Sequence, residues 1–124
     1  MSIIEKTIEL VGSKGRERVT GLFDTGSTYS CIDKGIAQKL ELLIPLPQPL
    51  EFETAKKDDK MAVRERVMLD FHIDGHRFSD EFFVLENLSG ELIIGVVTMR
   101  KWRFKLDFEH DEVIIDPRVT RLRI

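Results

Sequence analysis

Short runs of Val, Ile, Phe and Leu alternate with polar side chains and are broken by turn residues at intervals of about 8 to 12, the rhythm of an all-β sandwich or barrel. Helix is the minority element. The clearest unit is residues 67–73 and 76–84, joined by Asp74-Gly75, a pair that readily takes the positive φ angles of a type I′ turn. That turn sets Ile73 opposite His76. Leu69, Phe71, Ile73, Phe78, Phe82 and Val84 then share one face, and Asp70, His72, Arg77 and Glu81 the other, so the first face is predicted to be core.

The same reading makes residues 3–11 and 17–23 a hairpin around a turn at 12–15, the second strand running straight into Asp24. Behind it, Ile32, Ile36, Ala37, Leu40 and Leu43 recur at helical spacing after Asp33, a good N-cap, and Pro45 opposes continuation. One short helix is predicted there. Residues 50–54 and 60–67 are strand-like around Lys56-Lys57-Asp58-Asp59, a polar tip with no apolar anchor. Residues 91–95 read as a buried strand ending in glycine, 97–102 as a short helix, and 104–108 with 112–115 as a last hairpin about His110-Asp111. Pro117 ends it, and the tail 118–124, with arginines between Val119, Leu122 and Ile124, is a candidate edge strand.

The 124 residues fit one domain, 1–124, with no internal repeat or linker. Hydrophobic residues make up 42% and charged residues 33%, enough apolar material for a folded core. A formal charge of -3 offers no global positive field for nucleic acid or anionic lipid. No apolar run approaches the roughly 20 residues a membrane span requires, and the first residues show neither a basic leader nor an apolar signal core, so a cytoplasmic location is expected. The single cysteine, Cys31, forms no internal disulfide and suits a reducing compartment.

Candidate chemistry centres on Leu22-Phe23-Asp24-Thr25-Gly26-Ser27-Thr28, an apolar strand delivering a carboxylate into a loop whose glycine permits a tight turn. Alone, such an Asp is more often a turn residue. Its context is Ser30-Cys31-Ile32 just behind and Ile93-Ile94-Gly95 about seventy residues on, before a short helix. Cys31 beside an apolar residue reads as a small core side chain rather than a nucleophile, and no histidine is spaced to activate it. His72 and His76 fall on opposite faces of their hairpin and His110 in a polar turn, so no metal site is expected. Trp102 reads as core or subunit surface.

With both motifs in place, the chain resembles the retropepsin-like aspartic proteases, the single-lobe relatives of pepsin. Asp24-Thr25-Gly26-Ser27 is similar to the active-site signature, and Ile93-Ile94-Gly95 to the apolar-apolar-glycine motif that crosses beneath the site; the likeness runs from about Thr7 to Asp116. It implies a mostly β, closed barrel with one or two short helices, no cofactor, a peptide or protein substrate, and a flap at Lys56, Lys57, Asp58, Asp59 and Lys60. It also implies a homodimer, because peptide hydrolysis at two carboxylates needs one as general base and one as general acid, and this chain supplies only Asp24. Gly26 amides would hold the carboxylates, Thr25 would anchor the loop across the dimer, and Ser27 would donate to Asp24. Residues 3–10 and 119–124 are the candidates for a sheet shared between subunits. Two departures stand out. Val96 and Val97 occupy positions where relatives often carry Arg and Asp or Asn, and the flap has neither glycines nor a tyrosine. These motivate the alternative of a non-catalytic dimeric binding or regulatory module on the same fold.

Overall fold

In the computed structural model, which describes residues 2–54 and 58–124, the Asp74-Gly75 turn takes positive φ at both positions, 49° and 82°. It joins β5 (Lys60–Ile73) to β6 (His76–Leu85), antiparallel and with Ile73 opposite His76. All six residues assigned to its core face are buried. Asp80 shares that face opposite Leu69; one of its carboxylate oxygens takes the Glu81 N–H and lies 3.5 Å from Lys101 Nζ.

The remaining elements follow in chain order. β1 (Ile3–Gly12) and β2 (Gly15–Asp24) form the first hairpin, and β3 (Cys31–Asp33) leads into α1 (Lys34–Leu40). β4 (Ile44–Glu53) precedes β5; β7 (Leu92–Ile94) leads into α2 (Val96–Lys101). β8 (Lys105–Asp107) and β9 (Glu112–Ile114) make a two-stranded ribbon, and Pro117–Thr120 is a 3-10 turn. The main sheet runs β1-β2-β7-β3-β6-β5-β4, and a further pairing of β1 with β5 joins its ends. Six strands thus close into a barrel, and β4 lies outside it along the first half of β5. Closure removes most sheet edges. Inside, Phe104 packs edge-on against Phe23, Phe71 and Phe78 at ring-centre distances of 5.8, 6.4 and 4.8 Å. Each such buried ring contributes about 2 kcal/mol through removal of apolar surface from water.

Three expectations are corrected. Ile32 belongs to strand β3, not to the helix, because Asp33 is the cap: its side chain accepts the Ile36 N–H at 3.4 Å and α1 starts only at Lys34. The helix ends at Leu40, so Leu43 is also outside it. The strand expected at 50–54 begins at Ile44, despite Pro45, Pro47 and Pro49. It tolerates them because β4 is the outer strand of the sheet, and its register on β5 shifts between Pro45 and Leu50. The tail is not an edge strand. Pro117 starts the 3-10 turn, and Asp116 caps it by accepting the Arg118 N–H at 3.0 Å. Among the described residues no helix is long and apolar enough to cross a membrane.

Where α1 meets the first hairpin, Glu41 accepts hydrogen bonds from Ser13 N–H (2.9 Å), the Ser13 hydroxyl (2.7 Å) and Leu42 N–H (2.9 Å). These donors favour the carboxylate, the Ser13 hydroxyl most, and pull its pKa from 4.5 down to about 2. A depressed carboxylate stabilises the fold above its unfolded pKa and loses that contribution as pH falls through its folded one. Wild type is therefore expected to be more stable than Glu41→Gln above pH 4.5, with the advantage shrinking between 4.5 and about 2, as read from melting temperatures of both proteins across that range.

Candidate active site

The site is built where β2 stops. Asp24 is its last residue and pairs with Ile3 of β1, so the carboxylate emerges at the barrel rim, half-buried, at the start of a loop running to Ser30. The loop is turned back by its own groups: Gly26 N–H donates to Asp24 Oδ1 at 2.8 Å, and Ser27 N–H to the Asp24 carbonyl at 3.1 Å. A carboxylate that accepts a backbone amide is fixed in direction.

β7 passes between the two strands that flank this loop. It runs parallel to β2, with Leu22 opposite Ile93 and Phe23 opposite Ile94, and antiparallel to β3, with Cys31 opposite Ile93. Ile93 and Ile94 thereby lie beside the strand that ends in Asp24, and Gly95 follows at the loop of Thr25, Gly26 and Ser27. Gly95 then meets the loop itself. A Cβ there would lie 2.6 Å from the Tyr29 carbonyl carbon and oxygen and 2.9 Å from the Ser27 carbonyl oxygen, so only glycine allows the approach. The first amides of α2 are satisfied by the same loop: Val96 N–H donates to Ser27 O at 2.8 Å and Val97 N–H to Thr28 O at 3.0 Å. α2 thus needs no capping side chain, and Gly95 supplies none.

One expected role is corrected. The Ser27 hydroxyl does not donate to Asp24; it donates to the Tyr29 carbonyl at 2.8 Å, closing the loop two residues on. In the single chain, Thr25 is held by Ser2: its amide donates to Ser2 O at 3.2 Å, and its hydroxyl lies 3.2 Å from Ser2 N and 3.3 Å from Ser2 O. Of the flap residues, Lys56 and Lys57 lie outside the described residues. Asp58 takes φ 60°, Asp59 accepts the Thr54 N–H at 3.1 Å, and Lys60 starts β5 with its Nζ 3.7 Å from Glu51. Asp59 and Lys60 bond within their own hairpin.

What links that hairpin to the Asp24 loop is aromatic. Tyr29 of the loop, Phe52 of β4 and Phe83 of β6 form a triangle with ring centres 5.9, 5.2 and 5.5 Å apart. The alternation of the sequence marks Phe52 and Phe83 as apolar but not as partners. A second unforeseen feature lies beneath: the buried hydroxyls of Ser30 and Thr98 are 2.6 Å apart, and Ser30 Oγ takes the Gly95 N–H at 3.0 Å. Thr98 in an otherwise apolar run was the available signal. Thr98→Val leaves a buried hydroxyl short of a partner, and a loss of about 1–3 kcal/mol in urea unfolding is expected. Cys31 is buried and its thiol is pushed up to about 11 by desolvation, which removes it as a nucleophile at neutral pH. In the β8–β9 turn, Asp107, Glu109 and His110 lie within 4.8 Å of one another, a grouping not expected from sequence, in which His110 Nδ1 is 2.8 Å from Asp107.

Residues 2–109 match the family described as Ty3 transposon peptidase. The chain belongs to that family. Its retropepsin-like character agrees with a structural match to the retroviral protease-like domain of Ddi1 from Leishmania major, with a TM-score of 0.68 over 93% of this chain and 90% of that one. At 18% identity that match speaks for the fold alone: mostly β, a closed six-strand barrel and two short helices. Within the Ty3-type peptidase fold, the loop from Asp24 to Ser30 and the crossing strand β7 are the elements that carry the motif residues.

Proposed function

We propose that this Ty3-type peptidase is an aspartic endopeptidase that acts as a homodimer, with Asp24 of each subunit sharing one water and one proton. The observation that carries the reading is the presentation of Asp24: a carboxylate at a barrel rim, aimed by the Gly26 amide and supported from below by Gly95. Two like charges about 3 Å apart do not both ionise, so the pair retains one proton over a working pH range. The ionised carboxylate takes a proton from water as it attacks the scissile carbonyl, and the protonated one donates to the carbonyl oxygen. Supporting a second copy is the β1 edge. β1 pairs with β5 only at Glu9, Leu10 and Val11, which leaves residues 3–8 with β2 as their partner strand among the described residues. Exposed Ile3 sits opposite Asp24 on that strand pair, and exposed Val97 sits beside the loop. The part assigned to the tail in a shared sheet narrows to Arg121 onward, since Pro117–Thr120 is 3-10. In this reading the enzyme works in the cytoplasm, where Cys31 stays a thiol.

The second reading, a non-catalytic dimeric binding module, is favoured by one feature. α2 begins with Val96 and Val97, so its first turn offers the neighbouring subunit no polar side chain. The two readings separate on incubation of a peptide library with wild type and Asp24→Asn from acidic to neutral pH, followed by mass spectrometry of new peptide termini. New termini with wild type alone support the endopeptidase. Identical products from both proteins, with a folded dimer demonstrated, support the binding module.

A further inference from the structure

A cavity of about 370 Å³ lies away from the Asp24 loop, lined by Arg103, Lys105, Ile114, Asp116 and Arg118. Its cations come from three separate segments: the turn after α2, strand β8 and the 3-10 turn. Three cations against one carboxylate make this a positive pocket on a chain whose formal charge is -3. The carboxylate is already committed. Asp116 accepts from Arg118 Nε at 3.0 Å and from its terminal nitrogen at 2.8 Å, and caps the 3-10 turn as well. Among the described residues, neither Arg103 nor Lys105 has a carboxylate within the 4.0 Å of an ion pair.

Arg103 is also held in an unusual backbone conformation. Four described residues other than glycine take positive φ, and three of them, Asp58, Asp74 and Asp111, are of a type suited to it. The fourth is Arg103, at φ 55°, directly after the end of α2, where the Phe104 amide returns to the Met99 carbonyl at 2.9 Å. Glycine is the residue that position favours. Arg103 is thus kept at a conformational cost beside the cavity, where it acts on Asp116 through space and where neither it nor Lys105 has an ion-pair partner among the described residues.

We propose that this cavity binds a small phosphate-bearing molecule, with Arg103 and Lys105 gripping the phosphoryl oxygens and exposed Ile114 meeting the apolar part of the ligand. A guanidinium matches phosphate oxygens with paired donors and an ammonium adds a point charge. Asp116 fixes Arg118 in place and leaves the pocket a net two positive charges, which suits a phosphate dianion.

The test titrates inorganic pyrophosphate into the full chain at low ionic strength, following backbone amide shifts. Saturable shifts confined to residues 103–118 are expected. Arg103→Gly and Lys105→Gln should each weaken binding by about tenfold or more, the loss of one charge-assisted contact, while Lys39→Gln on α1 should leave it unchanged. Arg103→Gly is the decisive variant, because it relieves the backbone conformation and leaves the fold at least as stable, so its weakening is not an unfolding effect. A parallel titration with single-stranded oligothymidylate separates a free phosphate ligand from a nucleic-acid backbone. The proposal is overturned by the absence of saturation with pyrophosphate, by equal affinity in Arg103→Gly, or by shifts that appear only with the oligonucleotide and spread through Arg121 and Arg123.

Discussion

Asp24→Asn is expected to abolish peptide cleavage, at least about 1,000-fold below wild type, without unfolding the protein. The substitution keeps the shape of the side chain and an oxygen that accepts the Gly26 N–H, now at 2.8 Å from Asp24 Oδ1. The loop behind it is held independently by Val96 N–H on Ser27 O and Val97 N–H on Thr28 O. Stability should therefore stay within about 0.5 kcal/mol of wild type, the ordinary range for a substitution outside the packed core. An amide, however, neither takes a proton from water at neutral or acidic pH nor donates one as a carboxylic acid does. Because the dimer draws both roles from the same position, a single codon change removes base and acid together. The check is a turnover assay on a cleaved library peptide beside a urea melt of both proteins. Retention of more than a few per cent of turnover in a pure variant dimer would place the chemistry elsewhere.

Gly95→Ala carries a large expected cost to the fold and acts on the Asp24 loop itself. The backbone at Gly95, φ −95° and ψ 177°, suits any residue, so the cost is steric and not torsional. The added carbon would sit 2.6 Å from the Tyr29 carbonyl atoms and 2.9 Å from the Ser27 carbonyl oxygen, all of them backbone. Those atoms are not free to retreat: Ser27 O accepts the Val96 N–H at 2.8 Å, Tyr29 O accepts the Ser27 hydroxyl at 2.8 Å, and the next residue, Ser30, is held by the Phe83 N–H on its carbonyl at 3.0 Å. A loss of about 3 kcal/mol or more is expected in urea unfolding, together with lost activity at temperatures where the variant remains folded, since the Asp24 loop has to shift. Gly15→Ala is the matched control. Nothing lies within 4 Å of a Cβ at Gly15, and its stability should be close to that of wild type.

What could be read from the sequence was what local chemistry decides. Asp74-Gly75 specifies its turn, and the period-two alternation on either side then places Phe71 opposite Phe78 and both in the core. Ile32 misled because it stands four residues before Ile36, a helical interval, yet Asp33 between them caps α1 and so ends β3. A three-residue strand carries too few positions to show a period. The first half of β4 carries Pro45, Pro47 and Pro49, which a central strand would not accept; that β4 is outermost is a property of the whole sheet and not of its own residues. At the site, Asp24, Gly26 and Gly95 were legible by type and spacing, whereas the crossing of residues 93–95 beneath the loop came only from the resemblance to the retropepsin-like proteases. The partner of the Ser27 hydroxyl was not legible, because Asp24 and the Tyr29 carbonyl are both within a loop's reach and only the backbone path chooses between them. The Ser30–Thr98 pair and the Tyr29–Phe52–Phe83 triangle join residues far apart in sequence, which no local pattern encodes.

The measurement that bears most directly on two aspartates from two subunits is activity in mixed dimers. Wild-type and Asp24→Asn subunits would be unfolded together, refolded at varied ratio and constant total concentration, and assayed on one cleaved peptide. If each active site needs Asp24 from both subunits, activity falls with the square of the wild-type fraction, so an equal mixture retains a quarter of it. A fall in direct proportion to that fraction, with exchange of subunits verified by native mass spectrometry, would mean that one chain does the chemistry alone and would contradict the account.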